Sequence, residues 1–197
     1  TLVPNHETIR MEIVIIIGLI LLNGILWMSE IAMVSARRSR LETDAKHGSK
    51  AARAALSLSN SPDTFLSTIQ IGITLIGILT GLYSGEALAR YLAVPLAKIP
   101  WLAPHAATVA QVLIVVVVTY LTLIFGELVP KRIGMSASER VAKLVARPMN
   151  LLSKIALPFV WLLLKSTAGP MRLLDIDTSH TGKVTEDEIT AIIQEGT

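Results

Sequence analysis

Residues 64–85 and residues 106–126 contain no charged side chain at all, and that fact removes most soluble folds from consideration. A helix rises about 1.5 Å per residue, so a bilayer core about 30 Å thick takes roughly 20 apolar residues to cross. Both stretches reach that length, and the second carries the run Val115-Val116-Val117-Val118. A third stretch, Met11 to Ser35, reaches it too, opened by Glu12 and interrupted only by Asn23, Gly24 and Glu30. The predicted fold is an all-α membrane protein with three transmembrane helices. Composition agrees, since hydrophobic residues make up 52% of the 197 and charged residues only 17%, gathered in blocks between the apolar runs.

A fourth segment is shorter. Between Lys154 and Lys165 lie uncharged residues Ile155 to Leu164, with Pro158 among them, enough for roughly 15 Å of helix. That predicts a re-entrant or interfacial hairpin, with a tilted fourth span and snorkelling lysines as the alternative.

Loop charge sets the expected orientation. Arg37, Arg38, Arg40, Lys46, Lys50 and Arg53 follow the first span, and Lys131 and Arg132 close the third. The connection between spans two and three holds only Arg90 and Lys98. A multi-pass protein of the inner (plasma) membrane results, with its N-terminus outside and its C-terminus cytoplasmic. The first apolar stretch is too long for a signal peptide, and no small-residue cleavage site follows it.

The chain then divides into a three-helix core (residues 1–135), a juxtamembrane and re-entrant helical belt (136–174), and a linker leading into a short acidic cytoplasmic helix (175–197). Ser136-Ala137-Ser138-Glu139 has a capping-box pattern. Beyond it Val141, Leu144 and Val145 form one face and Arg140, Lys143 and Arg147 another, as in helices that lie on an anionic leaflet. Thr185-Glu186-Asp187-Glu188 repeats the cap before Ile189, Ile192 and Ile193. That apolar stripe predicts a longer parent protein, or a dimer in which such helices pair. Asp175-x-Asp177-x-Ser179 with Glu186 half-matches a calcium loop, but His180 stands where the turn needs glycine, so a linker is expected.

The chain has no cysteine, and no pair among its four histidines has helical metal-ligand spacing. Thiol chemistry is excluded and transition-metal sites are disfavoured. No nucleophile–base pair suggests an enzyme, and nothing points to nucleic acid.

Polar residues inside spans are costly and mark function. Asn23-Gly24 weakens the first helix at mid-membrane, and Ser29-Glu30 follows. The bland alternative has Gly24 serving packing and Glu30 pairing with Arg37 or Arg38. Ser67, Thr68, Gln70 and Thr74 form a polar patch on the second span, whose hydroxyls could merely bond their own carbonyls. Gly77, Gly81 and Gly85 form a small-residue stripe suited to a close packing face or a dimer face. In Phe125-Gly126-Glu127-Leu128-Val129-Pro130-Lys131, Pro130 removes a backbone donor and frees the Gly126 carbonyl beside the Glu127 carboxylate. Carboxylate, carbonyls and hydroxyls suit a hard cation such as Mg²⁺. The alternative there is a plain Glu127–Lys131 pair at a helix end.

These motifs, with Ser35-Ala36-Arg37-Arg38-Ser39-Arg40-Leu41 and Ser67-Thr68-Ile69-Gln70-Ile71-Gly72, resemble the CorC/CNNM family in order and over nearly the whole chain. The resemblance implies a homodimer with cytoplasmic CBS domains beyond this segment, associated with Mg²⁺ export linked to Na⁺. It makes Glu127 and Gly126 the principal ligands. Thr74 or Ser67 would add ligands from the second helix and Ser29 from the first, with Glu30, Asn23 and Gly24 gating or coupling. Trp27-Met28 stands where many relatives carry small or hydroxyl residues, and the Thr-Ile-Gln-Ile-Gly pattern resembles a branch that includes a diamine exporter. A polyamine such as cadaverine or putrescine is therefore the alternative cargo, with Trp27 as an aromatic wall. A membrane anchor or sensor for CBS domains is the second alternative.

Overall fold

The computed structural model describes residues 6–173, and among them every regular element is helical. The linker and acidic helix expected over residues 175–197 lie outside the described residues. The chain divides into two compact units, residues 1–157 and residues 158–197. The first holds α1 (His6–Ser35), α2 (Arg38–Lys46), α3 (Lys50–Ser59), α4 (Pro62–Ala87), α5 (Ala89–Leu96), α6 (Ala106–Leu123), α7 (Val129–Ser136) and the start of α8 (Ser138–Leu173). A π-helical turn, Ile124–Leu128, joins α6 to α7.

Among the described residues four helical segments are long and apolar enough to cross a membrane: Glu7–Ser35, Pro62–Leu96, Ala103–Ser136 and Ser138–Thr167. The first three contain the expected spans. The fourth corrects the hairpin expected over Ile155–Leu164, because α8 is a single helix through Pro158. Proline costs a helix its bond to the carbonyl four residues back, yet a long helix tolerates that where the ring is exposed.

The spans pack unevenly along their length. At the end carrying the basic loops, Leu26, Ala32 and Met33 of α1 meet Leu41 of α2, Ala55 and Leu58 of α3, and Phe65, Ile69 and Ile76 of α4. Val141, Ala142, Val145, Ala146 and Met149 of α8 complete that core. The buried face of α8 is thus wider than the expected stripe, and Leu144 is not on it, being 75% exposed. The opposite end has a thinner plug of Ile16, Ile20 and Val118. Elsewhere the spans show apolar side chains outward (Val14, Ile17, Leu21, Leu82, Val116, Tyr120), an arrangement that suits hydrocarbon as solvent.

The capping box expected at Ser136–Glu139 does not form. Ser136 donates to the Ile133 carbonyl at 3.1 Å, ending α7, and Ser138 donates to Glu139 at 3.3 Å. The Gly77-Gly81-Gly85 stripe has nothing within 4 Å of where a Cβ would stand. The close approach is made by other glycines.

Candidate functional site

α1 crosses the α6–π–α7 rod at three glycines. A Cβ on Gly24 would stand 2.8 Å from the Phe125 carbonyl oxygen and 2.8 Å from Cγ of Pro130. One on Gly126 would meet the Ile20 carbonyl at 3.2 Å, and one on Gly134 the Met28 carbonyl at 2.7 Å. Small residues drive helix association in lipid by letting backbones approach. The approach here brings the polar residues of α1 onto the π turn.

That turn exists because of Pro130, which sits at the start of α7 without an amide hydrogen. The helix takes up the defect by widening for one turn, a feature often found at functional sites. The Gly126 carbonyl does not stay bare: Asn23 Nδ2 donates to it at 3.2 Å, inside the protein. The gating candidate Asn23 and the ligand candidate Gly126 are therefore one hydrogen-bonded unit.

Two acceptor oxygens nearby are left over. Asn23 Oδ1 and Glu30 Oε2 are buried and have no hydrogen-bond partner among the described residues. Among the described residues Glu30 pairs with neither Arg37 nor Arg38; Arg38 instead bonds Glu42 at 3.0 Å and Asn60 at 3.1 Å. Glu127 does have a partner: Lys131 Nζ donates to it at 2.6 Å. The same ammonium lies 3.8 Å from the centroid of the Trp27 ring, and its charge acts on Glu30 as well. Lys131 thus links Glu127, Trp27 and Glu30 at one end of the bundle. A buried acceptor without a donor costs about 1–3 kcal/mol, so each of these two oxygens, about two turns apart on one face of α1, is a place that a cation or proton could relieve.

The hydroxyl candidates fare differently. Ser29 is fully buried and donates to the Ile25 carbonyl at 2.6 Å, and Thr68 donates to Thr64 at 2.7 Å. Both make the i−4 bond expected of hydroxyls in apolar helices. Ser67 is half-buried, while Gln70 and Thr74 are exposed on α4. Among the described residues no three His, Cys, Asp or Glu side chains cluster as a metal site, so carbonyls and amides would have to complete any coordination shell.

Outside the spans, Asp44 of α2 is held to α8 by Lys143 at 2.6 Å. That hydrogen bond, reinforced by the lysine charge, keeps the Asp44 carboxyl below its ordinary value. Arg40 reaches Glu139 at 4.0 Å beside it.

Sequence reasoning missed the Trp27–Lys131 contact and the Asn23–Gly126 bond. It also passed over Glu12, which is 6% exposed and bonded to Arg90 at 2.6 Å. The spacing was a signal, because Glu12, Asn23 and Glu30 fall within about 20° of one helical face.

Comparison with known proteins agrees with this architecture. The profile described as the cyclin M transmembrane N-terminal domain matches residues 14–197. The chain is 47% identical over 190 residues to UPF0053 protein sll0260 of Synechocystis, covering 96% of this chain and 42% of that protein. It is 32% identical to the polyamine export protein of Haemophilus influenzae, covering 93% and 42%. It is 30% identical to UPF0053 protein YhdP of Bacillus subtilis, again covering 93% and 42%. The chain spans about two fifths of the length of these relatives. Its helices, its motifs and these matches place it in one family: the chain belongs to the cyclin M (CorC/CNNM) transmembrane-domain family.

Proposed function

We propose that this chain is the membrane domain of an exporter of a divalent cation, Mg²⁺, driven by Na⁺ and working as a homodimer with CBS domains in the cytoplasm. The single observation that carries the proposal is the pair of unpartnered buried oxygens, Asn23 Oδ1 and Glu30 Oε2, on the helix packed against Glu127. Hard cations are held by such oxygens together with retained waters. Glu127 is the principal ligand and Gly126 offers its second carbonyl lone pair. Glu30 couples or gates, and Asn23 and Gly24, on an α1 that is unbroken there, seat that helix against the π turn. Ser29, Ser67 and Thr74 join only if their helices rearrange.

Three segments cross in this proposal, with the basic loops cytoplasmic, the N-terminus outside and the site open to the cytoplasm. α8 stays in the juxtamembrane belt, supported by Arg140, Lys143 and Arg147 along its first half and by its packing on α2–α4. Cysteines introduced for Ser138 and Thr167 should label from the same side of the membrane; labelling from opposite sides means α8 crosses.

A second reading has its own observation. The Lys131 ammonium sits on the Trp27 ring and the Glu127 carboxylate, the contacts a primary ammonium of a diamine would make. The polyamine export protein of Haemophilus influenzae is also among the relatives. Titration calorimetry on the full-length protein separates the two. Mg²⁺ binding lost in Glu127→Gln supports the first; cadaverine or putrescine binding without Mg²⁺ binding overturns it in favour of the second.

A further inference from the structure

The end of the bundle away from the basic loops contains a second buried carboxylate. Glu12 is 6% exposed, and its Oε1 accepts from Arg90 Nη2 at 2.6 Å. Its Oε2 is buried without a hydrogen-bond partner among the described residues, and so is the Tyr91 hydroxyl. The two lie close enough to interact, without closing a hydrogen bond between them. A buried ion pair kept only for structure tends to satisfy its remaining oxygens, because desolvating them is costly. Here one carboxylate oxygen and one phenol hydroxyl approach each other without a hydrogen bond closed between them, although the hydroxyl is a donor.

The construction repeats what stands at the opposite end. Glu127 is bonded at 2.6 Å by Lys131, whose ammonium lies over Trp27 at 3.8 Å. Glu12 is bonded at 2.6 Å by Arg90, whose guanidinium lies 5.5 Å from the centroid of Tyr91. Each carboxylate is held by a tethered cation that rests near an aromatic ring. Glu12 and Glu30 share a face of α1 and are separated by roughly 27 Å of helix, close to the thickness of a bilayer core. Between them lie Asn23 and then the apolar plug of Ile16, Ile20 and Val118.

We propose that Glu12 is a second cation station, at the exit end of the path, and that Arg90 is its tethered occupant and Tyr91 its neutral oxygen ligand. The proposal rests on the cation-export reading and takes the same class of ligand as the inner site. A cation that passes the plug meets Glu12 Oε2 and the Tyr91 oxygen. Arg90, whose side chain is 56% exposed, gives way toward solvent. On release it returns and neutralises the carboxylate, so the vacated site does not draw the cation back from outside.

The test uses full-length protein in oriented proteoliposomes, with Mg²⁺ efflux followed while Mg²⁺ is added to the outer side. Arg90→Gln should make efflux at least tenfold more sensitive to outer Mg²⁺, and Arg90→Lys should restore the wild-type sensitivity. Inhibition from the inner side should not change, a side-specificity that a merely structural ion pair would not produce. Glu12→Gln should slow efflux at least tenfold while the calorimetric Kd of the inner site stays within threefold. Unchanged outer inhibition in Arg90→Gln overturns the proposal, even if Glu12→Gln fails to fold. Wild-type protein that neither binds nor moves Mg²⁺ overturns instead the export reading on which it depends.

Discussion

Replacing Gly24 by alanine tests the crossing on which the inner site depends. The added Cβ would lie 2.8 Å from both the Phe125 carbonyl oxygen and Cγ of Pro130. One is backbone and the other a ring closed on the backbone, so neither can swing aside as a lysine tip would. Restoring ordinary contact needs α1 and the π turn to part by about 0.6 Å beyond the 2.8 Å found. Overpacking of this kind costs about 1–3 kcal/mol. At roughly 2–4 °C per kcal/mol for a chain of this size, melting in detergent should fall by about 2–12 °C. The Asn23–Gly126 bond spans the same crossing, so cation affinity should fall with stability. Gly18→Ala is the matched control, because nothing lies within 4 Å of its Cβ position and alanine gains up to about 1 kcal/mol of helix propensity. If Gly24→Ala melts at or above the temperature of Gly18→Ala, the close approach does not exist in the folded protein.

Asn23→Leu should strand the Gly126 carbonyl and cost about 1–2 kcal/mol, near the upper end for polar contacts in lipid; a melting temperature equal to wild type contradicts the bond. Lys131→Gln removes the tethered ammonium from Glu127, and Mg²⁺ affinity measured by calorimetry should rise several-fold; a fall would make Lys131 a structural partner rather than an occupant. For Asp44 the folded carboxyl lies below the ordinary 3.8, so its contribution is present above that value and is lost as pH drops through the lowered one. Melting curves of wild type and Asp44→Asn should therefore differ at neutral pH and converge at pH values below 3.8; a gap that persists in acid refutes the Lys143 pairing as its cause.

Much of this architecture was legible in the chain because lipid leaves few options. Uncharged runs of hydrocarbon length are candidate spans that must be helical in lipid, since every backbone polar group has to be satisfied within the segment. Pro130 beside Gly126 and Glu127 announced a helix defect by covalent chemistry alone. α8 was misread because a run of ten uncharged residues and one proline describe local preference, whereas its first half is held by a core drawn from α1, α2, α3 and α4. The Gly77 stripe takes no close helix from within this chain, since spacing shows only that a helix could be approached there.

Only the tertiary structure decided which groups meet. The sequence alone could not say that the amide of Asn23 takes the carbonyl of Gly126, 103 residues away, or that Arg90 finds Glu12 across 78. Such bonds depend on which faces of α1, α5 and the π turn come together, and three close-packed glycines set that for α1 and the π turn. The i,i+4 spacing did offer Lys131 to Glu127, and that pair forms, but spacing could not say that an oxygen of Glu30 would be left bare. Periodicity fixes the face a residue occupies, but whether a buried oxygen finds a donor depends on packing to within an ångström.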